Sequence, residues 1–299
     1  MGRRWLAVAA ALTMVVASLA LVVRAAGDDS GATVAHSGAP ARPEAASDPI
    51  AGSPAASPVS PLTIAPATTT TTTIPLVDGV AFVGDSLAEN LAAGLAEAGP
   101  LRGLAVFDDA ISGCGVTRSG DFLLSGIRYP LSPACGAWSD TWTEDLRRDR
   151  PKIVAIQVGR HEVLDRLYMG RWTSILEAPY RAYVRGELEL AIRIARAQGA
   201  KVVLLTVPKF SRPPRPTGLH WQENDPVRVD RFNEVLRELA AADRTLTLID
   251  LGARTSPGTS YVDVVDGVDL RSDGVHYSTA GVEWIGPWLL PQLTALLRR

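Results

Sequence analysis

The stretch "VAFVGDSLAEN", residues 80–90, contains a change of pattern from which the rest of the chain can be interpreted. An apolar run ends at Gly84-Asp85-Ser86, and leucines four residues apart follow it, which predicts a strand, a turn and a helix. Ser86 then lies at a helix N-terminus, where unpaired N–H groups and the helix dipole favour negative charge. Ser86 is therefore either a nucleophile that attacks a carbonyl group or, like Asp85, a cap for the helix.

Further apolar runs share the features of the first one. They are rich in β-branched residues and end at Gly or Pro, which is typical of strands buried on both faces of a parallel sheet. These runs are residues 152–159, 201–208 and 246–252, with a weaker candidate at 103–110. Helical patterns occupy residues 87–99, 180–199, 225–242 and 278–299, the last one interrupted by Pro287 and Pro291. This alternation predicts an α/β domain with functional residues at the carboxyl ends of its strands.

The N-terminal quarter has a different composition from the rest. In residues 1–26, two arginines precede 19 residues without charge, close to the length of a membrane-spanning helix. We expect a signal anchor that leaves the remaining chain outside the cytoplasm, with a cleaved signal peptide as the alternative. Residues 27–76 are rich in Ala, Pro, Ser and Thr and predict a disordered linker. Residues 77–299 are then the folded domain.

Charge and composition exclude several classes of function. The formal net charge is −2 and 46% of the residues are hydrophobic, which is typical of a globular protein and gives no reason to expect nucleic acid as a partner. The sequence contains no zinc-ligand spacing, calcium loop, P-loop or dinucleotide fingerprint. We therefore expect neither a metal ion nor a cofactor.

One histidine combines a suitable position with a suitable neighbour. The chain has four histidines, and only His276 has a carboxylate three residues earlier, at Asp273. An Asp-x-x-His turn can provide a general base together with the group that orients its ring, although local packing alone would explain the pair as well. Because Ser86 follows the first strand and His276 follows the last, both can meet at the carboxyl edge of the sheet.

The two motifs together resemble the SGNH/GDSL serine hydrolases. "GDSL" at residues 84–87 matches the first block of that family, and "DGVH" at residues 273–276 matches its last block. The resemblance implies a three-layer α/β/α sandwich around a mostly parallel five-stranded sheet, with Ser86, His276 and Asp273 as nucleophile, base and orienting partner. It also implies an oxyanion hole formed by the N–H groups of Ser86 and Gly113, with Gly115 as the alternative to Gly113.

The third block departs from the family pattern. Gly-x-Asn-Asp is usual there, whereas this chain reads Gly159-Arg160-His161-Glu162. His161 either replaces the asparagine as a donor to the oxyanion, supports the structure or binds substrate. The departure is similar to the SGNH domains attached to membrane acyltransferase-3 proteins. That resemblance implies O-acylation of cell-surface glycans. If the chain is a transferase, we expect a separate membrane protein to supply the acyl group.

Cys114 and Cys135 lie within the predicted domain. In an exported protein such a pair predicts a disulfide, with two buried thiols as the alternative. The Gly-Cys-Gly run and the second cysteine also resemble the acyltransferase-associated branch.

Three residues are candidates for substrate binding. They are Arg160 and, in the basic and aromatic segment 208–225, His220 and Trp221. A rigid Pro-rich connection with Trp221 in the core is the alternative for that segment.

The sequence therefore predicts an exported serine esterase or O-acyltransferase that acts on acetyl-type groups of a cell-surface glycan. The alternative is a catalytically weak domain of the same fold that binds cell-wall glycan or scaffolds an acyltransferase.

Overall fold

The computed structural model of the protein describes residues 75–298. The predictions for residues 1–26, and for the linker up to residue 74, lie outside the described residues. Within residues 75–298, no helix has both the length and the apolar character needed to cross a membrane.

Strands and helices alternate through most of the described chain. The strands are β1 Val77–Gly84, β2 Ala105–Asp108, β3 Phe122–Leu124, β4 Ile127–Tyr129, β5 Pro151–Gln157, β6 Asp165–Tyr168, β7 Arg171–Thr173, β8 Lys201–Leu205, β9 Thr247–Ile249, β10 Val264–Val265 and β11 Val268–Asp269. The helices are α1 Ser86–Leu95, α2 Pro133–Gly136, α3 Trp138–Asp149, α4 Ala178–Arg196, α5 Pro226–Ala242, α6 Leu251–Thr255 and α7 Thr279–Leu297.

The central sheet has five parallel strands in the order β2-β1-β5-β8-β9, which confirms the predicted α/β class. Strands β1, β5 and β8 occupy its middle, and their apolar side chains are buried. Helices α1 and α7 pack together in one layer, while α3, α4 and α5 pack side by side in another. All five predicted strands are present, although several end earlier than the apolar runs do.

The last apolar run, predicted as a strand over 246–252, is divided between two elements. Strand β9 stops at Ile249 because the Asp250 side chain accepts a hydrogen bond from Ala253 N at 3.2 Å and begins α6. A short polar side chain at a helix N-terminus thus ends the strand.

The closing helix is not interrupted, and the predicted break at Pro287 and Pro291 is wrong. Helix α7 continues through both residues. The two prolines are four residues apart and exposed, so the carbonyl groups that they leave without N–H partners lie on the solvent side. Buried side chains on the other face hold the helix against the core; they include Ile285, Leu289 and Leu293.

A second, antiparallel sheet lies between β2 and α4 in the sequence. Its strand order is β4-β3-β6-β7, and no strand exceeds four residues. Cys114 and Cys135 do form a disulfide, with their Cα atoms 5.0 Å apart. The bridge ties the segment after β2 to α2.

Candidate active site

Strand β1 and helix α1 meet in a turn that only glycine can make. Gly84 has φ +153°, and a Cβ there would lie 1.8 Å from the backbone oxygen of Gln157 in the neighbouring strand. The next residue, Asp85, is fully buried and accepts hydrogen bonds from Leu87 N at 2.9 Å and Arg160 N at 3.3 Å. Asp85 is therefore the cap of α1, which leaves Ser86 as the first residue of the helix.

The Asp85 carboxyl has an unusual environment. Burial, together with the nearby Glu162 carboxylate, raises the pKa of Asp85 to about 7. Its two oxygens are occupied by N–H groups from the segments after β1 and β5. Asp85 thus holds together the two segments that carry Ser86 and His161.

Ser86, His276 and Asp273 form one hydrogen-bonded chain. Ser86 Oγ lies 2.8 Å from His276 Nε2, although the two residues are 190 positions apart. His276 Nδ1 lies 2.7 Å from Asp273 Oδ2. The other Asp273 oxygen accepts hydrogen bonds from Val275 N and His276 N, both at 2.8 Å. Burial alone would raise the pKa of Asp273, but these hydrogen bonds lower it below its usual range.

The loop after β2 brings Gly113 to the same place. Ile111 N donates to Gly84 O at 2.9 Å, which fixes the loop against the end of β1. Gly113 has φ +76°, and a Cβ there would meet no atom within 4 Å. Gly115 is different, because its Cβ would collide with the Glu162 carboxylate. Of the two predicted glycines, Gly113 is the one that lines the cavity beside Ser86.

His161 also lines this cavity. Burial lowers the pKa of His161 to about 3, and the positive charges of Arg166 and Arg160 contribute in the same direction. The ring packs edge-on against Phe122, with 5.6 Å between centroids. His161 is therefore neutral near pH 7, and a neutral imidazole carries one N–H that can donate a hydrogen bond.

The cavity has a volume of about 280 Å³. Its lining residues come from the ends of several strands and from the small sheet; they are Ser86, Ser112, Gly113, Leu124, Arg160, His161, Leu164, Arg212, Val275 and His276. Arg160 was predicted to bind substrate, and it is buried in this wall.

The other two predicted substrate-binding residues lie apart from this lining. His220 is exposed. Trp221 is half-buried and packs over Gly126, where a Cβ would lie 2.7 Å from the indole ring. The Arg215 guanidinium lies over the same indole, 4.8 Å from its centroid.

Sequence reasoning missed Ser112, Leu124, Leu164 and Arg212. Ser112 was within reach, because it directly precedes Gly113, to which the resemblance assigns an oxyanion role. Leu124 had no signal, since its three-residue strand is too short to show a period. Within residues 75–298, no group of three or more His, Cys, Asp and Glu side chains is arranged to hold a metal ion.

Comparison with known proteins gave one family match. A family model described as "SGNH domain (fused to AT3 domains)" matches residues 63–291. A search of curated proteins found no significant match.

Several solved structures are similar at low sequence identity. A candidate acylhydrolase from Bacteroides fragilis NCTC 9343 is 16% identical, with 75% of this chain and 92% of that one covered and a TM-score of 0.51. A carbohydrate acetylesterase family member from Sinorhizobium meliloti is 12% identical, with coverage of 74% and 100% and a TM-score of 0.49. The periplasmic domain of a lipopolysaccharide acetyltransferase from Salmonella ser. Paratyphi A is 13% identical, with coverage of 72% and 84% and a TM-score of 0.46. The first likeness shows the fold, and the other two TM-scores are too low to support a conclusion about this chain.

Proposed function

The chain belongs to the SGNH domain family and is an enzyme that acts on ester bonds, and from this premise we propose that it is an exported serine esterase or O-acyltransferase with Ser86 as its nucleophile. The observation that carries this proposal is the hydrogen-bonded chain from Ser86 Oγ through His276 to Asp273 Oδ2. A serine at a helix N-terminus, a base within hydrogen-bond distance and a carboxylate that orients the base are together what nucleophilic acyl transfer requires.

The reaction proceeds in two half-reactions. Ser86 Oγ attacks the acyl carbonyl carbon while its proton moves to His276 Nε2. The negative charge formed on the carbonyl oxygen is stabilised by the N–H groups of Ser86 and Gly113 and by the N–H of His161. When the intermediate collapses, the leaving alcohol takes the proton from His276 and the acyl group remains on Ser86. Water or a sugar hydroxyl then attacks the acyl carbon while its proton moves to His276. When the bond to Ser86 Oγ breaks, His276 returns that proton to Ser86 and the acyl group leaves on the acceptor.

The dimensions of the cavity support a short acyl group. Its volume of about 280 Å³ lies at the lower end of ligand sites, so we propose an acetyl-type group rather than a long chain. The catalytic pair is open to large substrates, since Asp273 and His276 keep 45% and 36% of their side-chain surface exposed. This exposure supports a polymeric substrate such as a cell-surface glycan.

A membrane partner and an extracytoplasmic location are part of the same proposal. The family model describes SGNH domains fused to AT3 domains, so we propose that a separate membrane protein supplies the acyl group to this chain. The Cys114–Cys135 disulfide supports a location outside the cytoplasm, because disulfides persist in oxidising compartments.

Labelling with a fluorophosphonate tests the nucleophile. We expect the protein to hydrolyse a chromogenic acetyl ester and to carry the label on Ser86. The label should be lost in Ser86→Ala and kept in Ser112→Ala, a matched control because Ser112 lines the same cavity. A protein that neither turns over the ester nor takes the label would instead favour the glycan-binding or scaffolding alternative.

His161 is expected to act as the third donor to the oxyanion. His161→Ala should lower kcat by about 10²-fold with little change in KM, because it removes one hydrogen bond made in the transition state. His161→Asn should keep most of the activity, since an asparagine amide also donates. Steady-state kinetics on the chromogenic acetyl ester measures both variants. Equal kcat values for wild type and His161→Ala would show that His161 does not donate.

A further inference from the structure

Two arginine side chains line the cavity that contains Ser86. They are Arg160, which follows β5, and Arg212, which follows β8. An ester hydrolase that accepts neutral acetyl esters has no need for two guanidinium groups beside its nucleophile. The contacts that these two arginine side chains make within the described residues therefore indicate whether they stabilise the fold or are available to bind a ligand.

Arg160 is buried, with 4% of its surface exposed, and is only partly paired. Its NH1 group donates to the backbone oxygen of Glu223 at 3.4 Å, and its guanidinium lies over the Phe210 ring. Its NH2 group makes no hydrogen bond within residues 75–298. The Glu223 carboxylate is 3.9 Å from NH2, and the same Oε1 atom already accepts a hydrogen bond from Ser125 N at 2.8 Å.

The guanidinium group of Arg212 has fewer partners within the described residues than that of Arg160. Its backbone is held by Asn224, whose side chain bonds both Arg212 N and Arg212 O. No ion pair or side-chain hydrogen bond of its guanidinium is found in the part of the chain that the structure describes, and its Nε is buried without a partner. The backbone is thus fixed while the charged group remains free to bind a ligand.

The carboxylates around the cavity offset the charge of this pair only in part. Asp273 and Asp85 attract Arg160, but their oxygens are hydrogen-bonded elsewhere, Asp273 to His276 and two backbone N–H groups and Asp85 to two backbone N–H groups. His161 is neutral near pH 7. Burial lowers the pKa of Arg160 to about 10, and the Arg212 charge acts in the same direction against the attraction of Glu223, Asp85 and Asp273. An anion bound between the two arginines would offset this unfavourable charge.

We propose that Arg160 and Arg212 form an anion subsite, and that the substrate carries a carboxylate or phosphate group on the same molecule as the ester. Guanidinium groups match the oxygen geometry of both anions. This inference rests on the proposed function, because it assumes that the ester reacts at Ser86. The inference restricts the substrate to esters in which the sugar that carries the acyl group is acidic, either a uronic acid or a sugar phosphate.

Matched sugar esters test the subsite. The substrates are methyl glucoside, methyl glucuronide and methyl glucoside 6-phosphate, each acetylated at the same hydroxyl. We expect kcat/KM to be at least about 10-fold higher for an acidic ester than for the neutral one, mainly through KM. The preferred acidic ester then distinguishes a carboxylate from a phosphate.

Arg212→Ala should reduce that preference about 10-fold, and Arg212→Lys should restore part of it. Arg212 is half-buried and its side chain holds no other residue, so its loss should leave the fold intact. Arg215→Ala is the control, because Arg215 belongs to the same basic segment but lies over Trp221 rather than in the cavity lining. The control should keep the preference of the wild type.

Two results would overturn the subsite. One is equal kcat/KM for neutral and acidic esters. The other is a preference for the acidic ester that persists in Arg212→Ala. This includes the case in which Arg212→Ala slows the neutral and the acidic ester equally, since Arg212 would then affect the transition state of every ester and not only that of the acidic one. Calorimetric titration of the full chain with methyl glucuronide, methyl glucoside 6-phosphate and methyl glucoside separates this inference from the proposed function. Binding of an acidic sugar that Arg212→Ala abolishes supports the subsite even if no ester is turned over, and equal or absent binding of all three contradicts it.

Discussion

Asp273→Asn is expected to lower kcat for ester turnover by about 10⁴-fold, the size of effect known for loss of a triad carboxylate. The reason lies in the two oxygens of Asp273. One accepts N–H groups from Val275 and His276, so an asparagine would keep its carbonyl oxygen there. Its NH₂ group would then face His276 Nδ1 and donate to it. The ring would carry its proton on Nε2 and would no longer accept the proton of Ser86.

Steady-state kinetics with a chromogenic acetyl ester measures this loss. Asp266→Asn is a suitable control, because Asp266 is an exposed carboxylate in the same segment that has no contact with His276 in the hydrogen-bond network. The control should retain the activity of the wild type. If Asp273→Asn kept kcat within 10-fold of wild type, Asp273 would not be the group that orients His276.

Gly84→Ala is expected to destabilise the protein by several kcal/mol, on the order of 4, or to prevent folding altogether. A Cβ at this position would lie 1.8 Å from the backbone oxygen of Gln157, and β1 and β5 are adjacent strands in the middle of the sheet. Neither backbone can retreat, because Asp85 N donates to that same oxygen at 3.2 Å. The positive φ of Gly84 adds strain for any residue with a side chain.

Urea unfolding followed by circular dichroism measures the change in the free energy of unfolding. The matched control is Gly186→Ala in the middle of α4, where a Cβ would meet nothing within 4 Å. That variant should be stabilised by about 0.5–1 kcal/mol, since alanine favours the helix over glycine. A Gly84→Ala protein with the stability of wild type would show that β1 and β5 can separate at this point.

The parts of the fold that were predicted are those in which one residue pattern decides the structure. Continuous β-branched runs identified the strands of the central sheet, because parallel strands are buried on both faces. Helix α3 was missed, although Trp138, Trp142 and Leu146 are four residues apart on its buried face. The charged residues between them hid that spacing. The small sheet could not be predicted, since strands of three or four residues show no reliable alternation.

The residues of the candidate site also fall into those that a local sequence pattern identifies and those that only the folded structure identifies. Ser86, Asp273 and His276 were accessible because their motifs are local and lie at predictable ends of the sheet. Arg212 belonged to a segment that was noted as basic, but nothing local separates it from Arg215. Only the folded chain turns one of these arginines toward the cavity and the other onto Trp221.

The packing of α1 against α7 makes the first and last helices of the described domain neighbours. Gly94 provides the room for this contact, since a Cβ there would lie 2.5 Å from Val282. Ser86 begins α1, and His276 lies three residues before α7. Ser86 and His276 are therefore brought together by elements from opposite ends of the described domain. We expect ester turnover to be lost when either end unfolds, so that activity can serve as a readout of the folded fraction in a preparation.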